Sequence, residues 1–204
     1  MNLDSVNRKK YFDKAAETWD QKYNTPQLTT FLTNLVPRFG LKSGDRVLDV
    51  GCGTGLLIPH LLQVIGTSGS ITAIDFSEKM LQICRSKYSH LQNVSLELQD
   101  IEEVTFLSET FDAVTCFGLF PHIENKRKAL FQIFRVLKRR GKFIIAHALS
   151  STELKTHHSS VSSMIAYDVI PEEPEMRRLL EQAGFIAVNI RDQCRCYFCL
   201  STKP

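Results

Sequence analysis

Nine residues, Val47-Leu48-Asp49-Val50-Gly51-Cys52-Gly53-Thr54-Gly55, constrain this chain more than any others. An apolar run ends in an acid, then passes into a loop with glycine at three alternate positions. Leu56-Leu57-Ile58-Pro59-His60-Leu61-Leu62 follows and reads as the opening of a helix. A strand, a glycine turn and a helix in that order form the ligand corner of a doubly wound α/β fold. Glycine reaches backbone conformations closed to other residues, so such a loop can press against a ligand. Its N–H groups, backed by a helix N-terminus, are expected to attract a negatively charged group. A dinucleotide fingerprint, G-x-G-x-x-G, needs a third glycine at position 56, where Leu56 stands. The spacing here is G-x-G-x-G, preceded by Asp49. Downstream, Ile71-Thr72-Ala73-Ile74 ends in Asp75, and an acid at the tip of a second strand can accept both hydroxyls of a ribose.

Composition narrows the classes further. A chain of 204 residues, 43% hydrophobic, suits one compact domain spanning 1–204. A net charge of +3 is too small to point to nucleic acid by itself. No apolar run reaches the ~18 residues of a membrane span, and Met1-Asn2-Leu3-Asp4-Ser5 is not a signal peptide. The expectation is a soluble, cytoplasmic protein. Its cysteines, Cys52, Cys84, Cys116, Cys194, Cys196 and Cys199, are scattered through predicted elements and read as reduced thiols.

Asp49-x-Gly51-x-Gly53-x-Gly55 with the acid Asp75 resembles the class I S-adenosylmethionine-dependent methyltransferases. Tyr11-Phe12-Asp13-Lys14-Ala15-Ala16-Glu17-Thr18-Trp19-Asp20 resembles the start of the ubiquinone/menaquinone-biosynthesis type, where such a helix closes over the cofactor. Arg135-Val136-Leu137-Lys138-Arg139-Arg140-Gly141-Lys142 is similar to that family's R-V-L-K-P-G-G turn, with Arg139-Arg140 in place of Pro-Gly, and Ala183-Gly184-Phe185 is similar to its A-G-F turn. The resemblance implies a Rossmann-like, doubly wound, seven-stranded sheet, mostly parallel with a C-terminal antiparallel strand. It implies S-adenosylmethionine as cofactor, held by Asp49, Gly51, Cys52, Gly53, Gly55, Asp75 and Phe76, with Tyr11, Trp19 and Met80 beside them. Asp100 and Ile101 match the place where an acid faces the adenine amino group, and Cys116 and Phe117 complete the cofactor set.

Along the chain, residues 8–23 form an amphipathic helix and 27–39 a second, together a helical lid over 1–40. Strands are expected at 47–50, 70–74, 94–98, 111–117 and 143–146, and a closing pair at 186–191 and 195–201. Ser77 reads as the N-cap of a helix over 78–88. Helices are also expected at 56–65, at 125–137 and from Pro171 onward. The polar stretch 150–170 carries no clear period and is taken as a substrate-side insert.

The loop 118–125 follows the fourth strand, and open parallel sheets bind ligands beyond the carboxyl ends of their strands. It holds Phe120, Pro121 and His122, whose imidazole can take a proton near neutral pH. His122 and His147 are the catalytic candidates; Phe120, His157, His158 and Tyr167 are candidates for contact with a small-molecule acceptor. Methyl transfer needs alignment, exclusion of water and proton removal, and neither metal nor covalent nucleophile. No metal is predicted, although His122, His147, His157, His158 and Asp168 are residue types that could converge on Zn²⁺. The acceptor atom is left open between sulfur, oxygen, nitrogen and a quinol carbon. Two alternatives stand beside this reading: an RNA methyltransferase, from the basic stretch 135–142, and an S-adenosylmethionine-binding protein without catalysis. Nucleic acid is the less expected partner, and oligomeric state is not legible.

Overall fold

The computed structural model describes residues 3–204. Backbone contacts divide the chain into two compact units, 1–100 and 101–204. Seven strands form one sheet in the order β3-β2-β1-β4-β5-β7-β6.

In the first unit, helix α1 (Leu3–Tyr23) is followed by α2 (Pro26–Leu35) and a 3₁₀ turn at Val36–Phe39. Gly40, at φ 67°, ends that turn in the left-handed conformation, which glycine takes without steric cost. Strand β1 (Arg46–Val50) then pairs in parallel with β2 (Ser70–Asp75), and β2 with β3 (Val94–Leu98). Val47, Leu48, Ile71, Ala73 and Ile74 are all within 1% of full burial, as strands covered on both faces require. Helix α3 (Ile58–Ile65) and helix α4 (Glu78–Tyr88) are the crossovers. The helix after the glycine loop begins at Ile58 rather than Leu56, because residues 56–57 complete the turn. Ser77 caps α4 as expected: its hydroxyl accepts the Met80 N–H at 3.2 Å.

In the second unit, β4 (Phe111–Phe117) pairs in parallel with β5 (Leu137–His147), and β7 (Cys196–Thr202) runs antiparallel to both β5 and β6 (Ile186–Gln193). Helix α5 (Lys126–Val136) is capped by Asn125, and helix α7 (Glu173–Gln182) precedes the Gly184 turn. Two expectations are revised. The Arg139-Arg140-Gly141 turn lies inside β5 as a bulge: pairing shifts between Phe111 and Ala113, and Arg140 takes φ 61°. The Arg140 N–H donates to Lys203 O, and Gly141 O accepts from the Lys203 N–H, so the bulge is fastened to the chain's end. The polar insert is also ordered, as helix α6 (Ser151–Val161). Ser150 and Glu153 close a capping box around its first turn.

Candidate active site

The glycine loop and Asp75 sit together at the carboxyl ends of β1 and β2. Gly51, Gly53 and Gly55 all have positive φ (67°, 55° and 87°), as the alternate spacing anticipated. Their amides point inward, however. The Gly51 and Cys52 N–H groups donate to Ile74 O at 2.8 and 3.0 Å, and the Gly55 N–H donates to Cys52 O at 2.9 Å. The Gly53 N–H donates to Asp75 Oδ2 at 2.8 Å. These four N–H groups are thus engaged within the fold. At its three glycines the loop offers backbone without side chains. Gly55 has a different reason to be glycine: a Cβ there would stand 2.5 Å from the Tyr88 ring and 2.8 Å from Cys84 Sγ, so α4 could not pack so closely.

Asp75 is fixed by two amides, one to each oxygen: Gly53 N–H to Oδ2, and Ser77 N–H to Oδ1 at 2.8 Å. The Phe76 amide adds a third backbone donor that favours the charged carboxylate. Burial pushes its carboxyl up to about 6, opposed by those amide bonds and reinforced by the Asp13 charge. Asp49, the preceding acid, is buried at 1% exposure.

Helix α1 covers this loop. Phe12, Ala16 and Met80 form a buried cluster against which Tyr11, Trp19 and Phe76 pack. A Cβ on Gly53 would lie 3.8 Å from Trp19 Nε1 and 4.0 Å from Met80 Sδ. Two acids missed by the sequence reading fasten the helix. Asp13 Oδ1 accepts from the Ser77 hydroxyl at 2.6 Å, and Asp20 Oδ1 accepts from the Thr54 hydroxyl at 2.6 Å. Asp20 also pairs with Lys87 Nζ at 2.5 Å, and Lys87 donates to Thr54 O. The signal was available: Asp13 and Asp20 are seven residues apart, two turns along one helix face. Asp100, at the end of β3, is exposed.

The second unit gathers imidazoles. A 3₁₀ turn at Phe120–His122 follows β4, steadied by Lys126 Nζ, which donates to Pro121 O and Ile123 O at 3.2 and 2.9 Å. His122 Nδ1 lies 2.7 Å from Asp168 Oδ2, with both side chains under 10% exposed. His158 Nδ1 lies 2.5 Å from the Asp168 carbonyl oxygen, and the two imidazole centroids are 4.8 Å apart. His147, ending β5, is buried, and its ring meets Tyr197 at 6.5 Å. Burial, with the His122 and His158 charges adding to it, pushes the His147 imidazole down to about 3, so it stays neutral. His157 is half-buried, 6.1 Å from His158. Phe120, Cys116 and Ile101 are buried in this unit and Phe117 is half-buried, whereas Tyr167 is 92% exposed. Among the described residues no group of three His, Cys, Asp or Glu side chains is arranged to hold a metal ion. Asp168, named in the sequence only as a metal candidate, is the residue that ties the insert to the β4 loop.

Residues 41–187 match a family described as methyltransferase domain. The chain belongs to that family, the class I S-adenosylmethionine-dependent methyltransferases. This methyltransferase is 29% identical to demethylmenaquinone methyltransferase of Staphylococcus aureus (strain JH9), over 93% of this chain and 88% of that one. A solved S-adenosylmethionine-dependent methyltransferase from Aquifex aeolicus shares its fold at TM-score 0.74 and 22% identity, covering 94% of this chain and 98% of the other. So does phosphoethanolamine N-methyltransferase 2 of Haemonchus contortus, solved with phosphomonomethylethanolamine and S-adenosylhomocysteine. There the TM-score is 0.79 at 17% identity, over 98% of this chain and 59% of that one.

The first unit thus brings together a buried carboxylate, a loop with glycine at three alternate positions and an aromatic helix.

Proposed function

We propose that this methyltransferase acts on a small-molecule acceptor in the cytoplasm, with the whole chain working as one domain. Asp75 would take the ribose hydroxyls. Gly51, Cys52, Gly53 and Gly55 would line the methionine end, with Asp49 supplying negative charge for its ammonium. Tyr11, Trp19, Phe76 and Met80 would shield it, and Asp100, Ile101, Cys116 and Phe117 would complete the site. Bound S-adenosylmethionine supplies an electrophilic methyl group and departs as a neutral thioether. The chain's own task is to position an acceptor, keep water out and take its proton. His122 is the proposed base. His147 would act as a neutral hydrogen-bonding group, since burial holds its imidazole at about 3 and leaves it uncharged near neutral pH. Phe120, His157, His158 and Tyr167 remain the proposed acceptor contacts. The Staphylococcus relative's name favours a quinol acceptor, while the imidazole-rich insert equally suits a sulfur or oxygen acceptor.

The observation that carries the cofactor half is Asp75, clamped by two amides and buried at 6% exposure. Calorimetry with S-adenosylhomocysteine tests it. Asp75→Ala is expected to weaken binding by roughly 1–3 kcal/mol, the range for hydrogen bonds to charged groups, and unchanged affinity would refute the ribose assignment. A screen of small thiols, phenols and quinols, run with and without chelator, identifies the acceptor class.

A further inference from the structure

We infer that Asp168 is a positioning residue for methyl transfer, setting the tautomer of His122 for an acceptor that is a weak oxygen or sulfur acid. The inference rests on the reading of His122 as the base. It begins from two contacts made by one residue. Asp168 Oδ2 lies 2.7 Å from His122 Nδ1, and the Asp168 carbonyl lies 2.5 Å from His158 Nδ1. A backbone carbonyl only accepts, so His158 carries its proton on Nδ1. An ionised carboxylate likewise only accepts, so His122 carries its proton on Nδ1 too. In a neutral imidazole that leaves Nε2 as the lone-pair nitrogen, the atom able to take a proton.

Asp168 itself is held in place. Its N–H donates to Ile165 O at 2.9 Å, and Ile165 and Ile170 on either side are buried at 5% exposure. The turn between α6 and α7 thus presents a fixed acid to the turn after β4. Among the charged and titratable neighbours are Lys126, engaged with Pro121 O and Ile123 O, and the imidazoles of His147, His157 and His158. His147 is neutral, so Asp168 does not share its charge with a second imidazolium there. This is the arrangement of a base with an orienting acid behind it.

The step balances as follows. The acceptor's X–H proton passes to His122 Nε2, and the electron pair left on X forms the new bond to the methyl carbon. The methyl–sulfur bond breaks with its pair going to sulfur. The imidazolium, beside the Asp168 carboxylate, then releases its proton to solvent. A neutral amine attacks through a lone pair it already has and loses its proton afterwards. A thiol or phenol must lose its proton first, and that is the case an oriented base serves.

Long-range ¹H–¹⁵N NMR of the full chain, with turnover assays, decides the matter. In the wild type, His122 and His158 should both show the Nδ1–H tautomer. In Asp168→Asn the His122 tautomer should become mixed. His158 should not change, because residue 168 keeps its carbonyl; that makes it the internal check on folding. Turnover should drop by about 10²–10⁴-fold, the usual span for a positioned base, with acceptor KM and S-adenosylhomocysteine affinity within about threefold. Across thiols or phenols of rising acidity the loss should shrink, vanishing for acceptors already ionised. An unchanged His122 tautomer, or an equal loss for ionised and un-ionised acceptors, would overturn the inference. Restoration of Asp168→Asn activity by added Zn²⁺ would overturn it as well. Absence of S-adenosylhomocysteine binding by the wild type would instead defeat the cofactor reading, and the tautomer result would stand apart from it.

Discussion

Asp75 and His147 pull the pH dependence of stability in opposite directions. Asp75 is raised from 3.8 to about 6, so between those values the folded chain binds more protons than the unfolded one. Its contribution is full below pH 3.8 and is lost as pH rises through about 6. His147 is lowered from 6.5 to about 3, so there the unfolded chain binds more protons. Its contribution is full above pH 6.5 and is lost as pH falls through about 3. Between about pH 4 and 6 the two slopes, each at most about 1.4 kcal/mol per pH unit, offset each other. Urea unfolding of His147→Gln across that window should therefore lose stability as pH rises, where the wild type stays nearly level. A level profile in the variant would show that Asp75 titrates normally, and a wild type that loses stability as steeply as the variant would show the same of His147. At this scale the acids Asp49 and Asp75 were legible because strand-end position and the glycine spacing mark them. The direction of the loop amides was not, since glycine spacing states which conformations are open and not which carbonyl each N–H will find.

Helix α1 is fastened to the glycine loop by polar contacts at Asp13 and Asp20, in addition to its aromatic stripe. Asp20→Asn should keep a weaker bond to the Thr54 hydroxyl and lose the charge pairing with Lys87. The expected result is faster hydrogen exchange across α1 and faster release of S-adenosylhomocysteine, with the rest of the chain exchanging as before. Unaltered α1 exchange would mean that apolar packing alone seats the helix. Helices α4 and α5 could be read beforehand from Ser77 and Asn125, whose side chains cap them. Helix α6 escaped because only Leu154 and His158 along it are buried, too few for a helical period. Its one legible mark was Ser150-x-x-Glu153, a capping box.

At the scale of the molecule, the mostly parallel seven-stranded sheet and its antiparallel strand β7 follow the expectation from the glycine corner and the C-terminal strand pair. The basic stretch 135–142 has a more specific use than its composition suggested. Arg135 donates to Phe106 O and Val104 O, and Lys138 pairs with Asp112 at 2.8 Å. Fewer cations are left for phosphates, so RNA should bind no tighter than the roughly 10⁻⁴–10⁻⁶ M of non-specific association at physiological salt. Filter binding across a salt series checks this, and a tight complex with a steep salt slope would reopen the nucleic-acid reading. The chain holds a single tryptophan, and Trp19 lies beside Gly53 at the mouth of the loop. Indole emission from the unlabelled protein consequently reports on one place alone, giving a built-in optical gauge of whatever enters beneath the first helix.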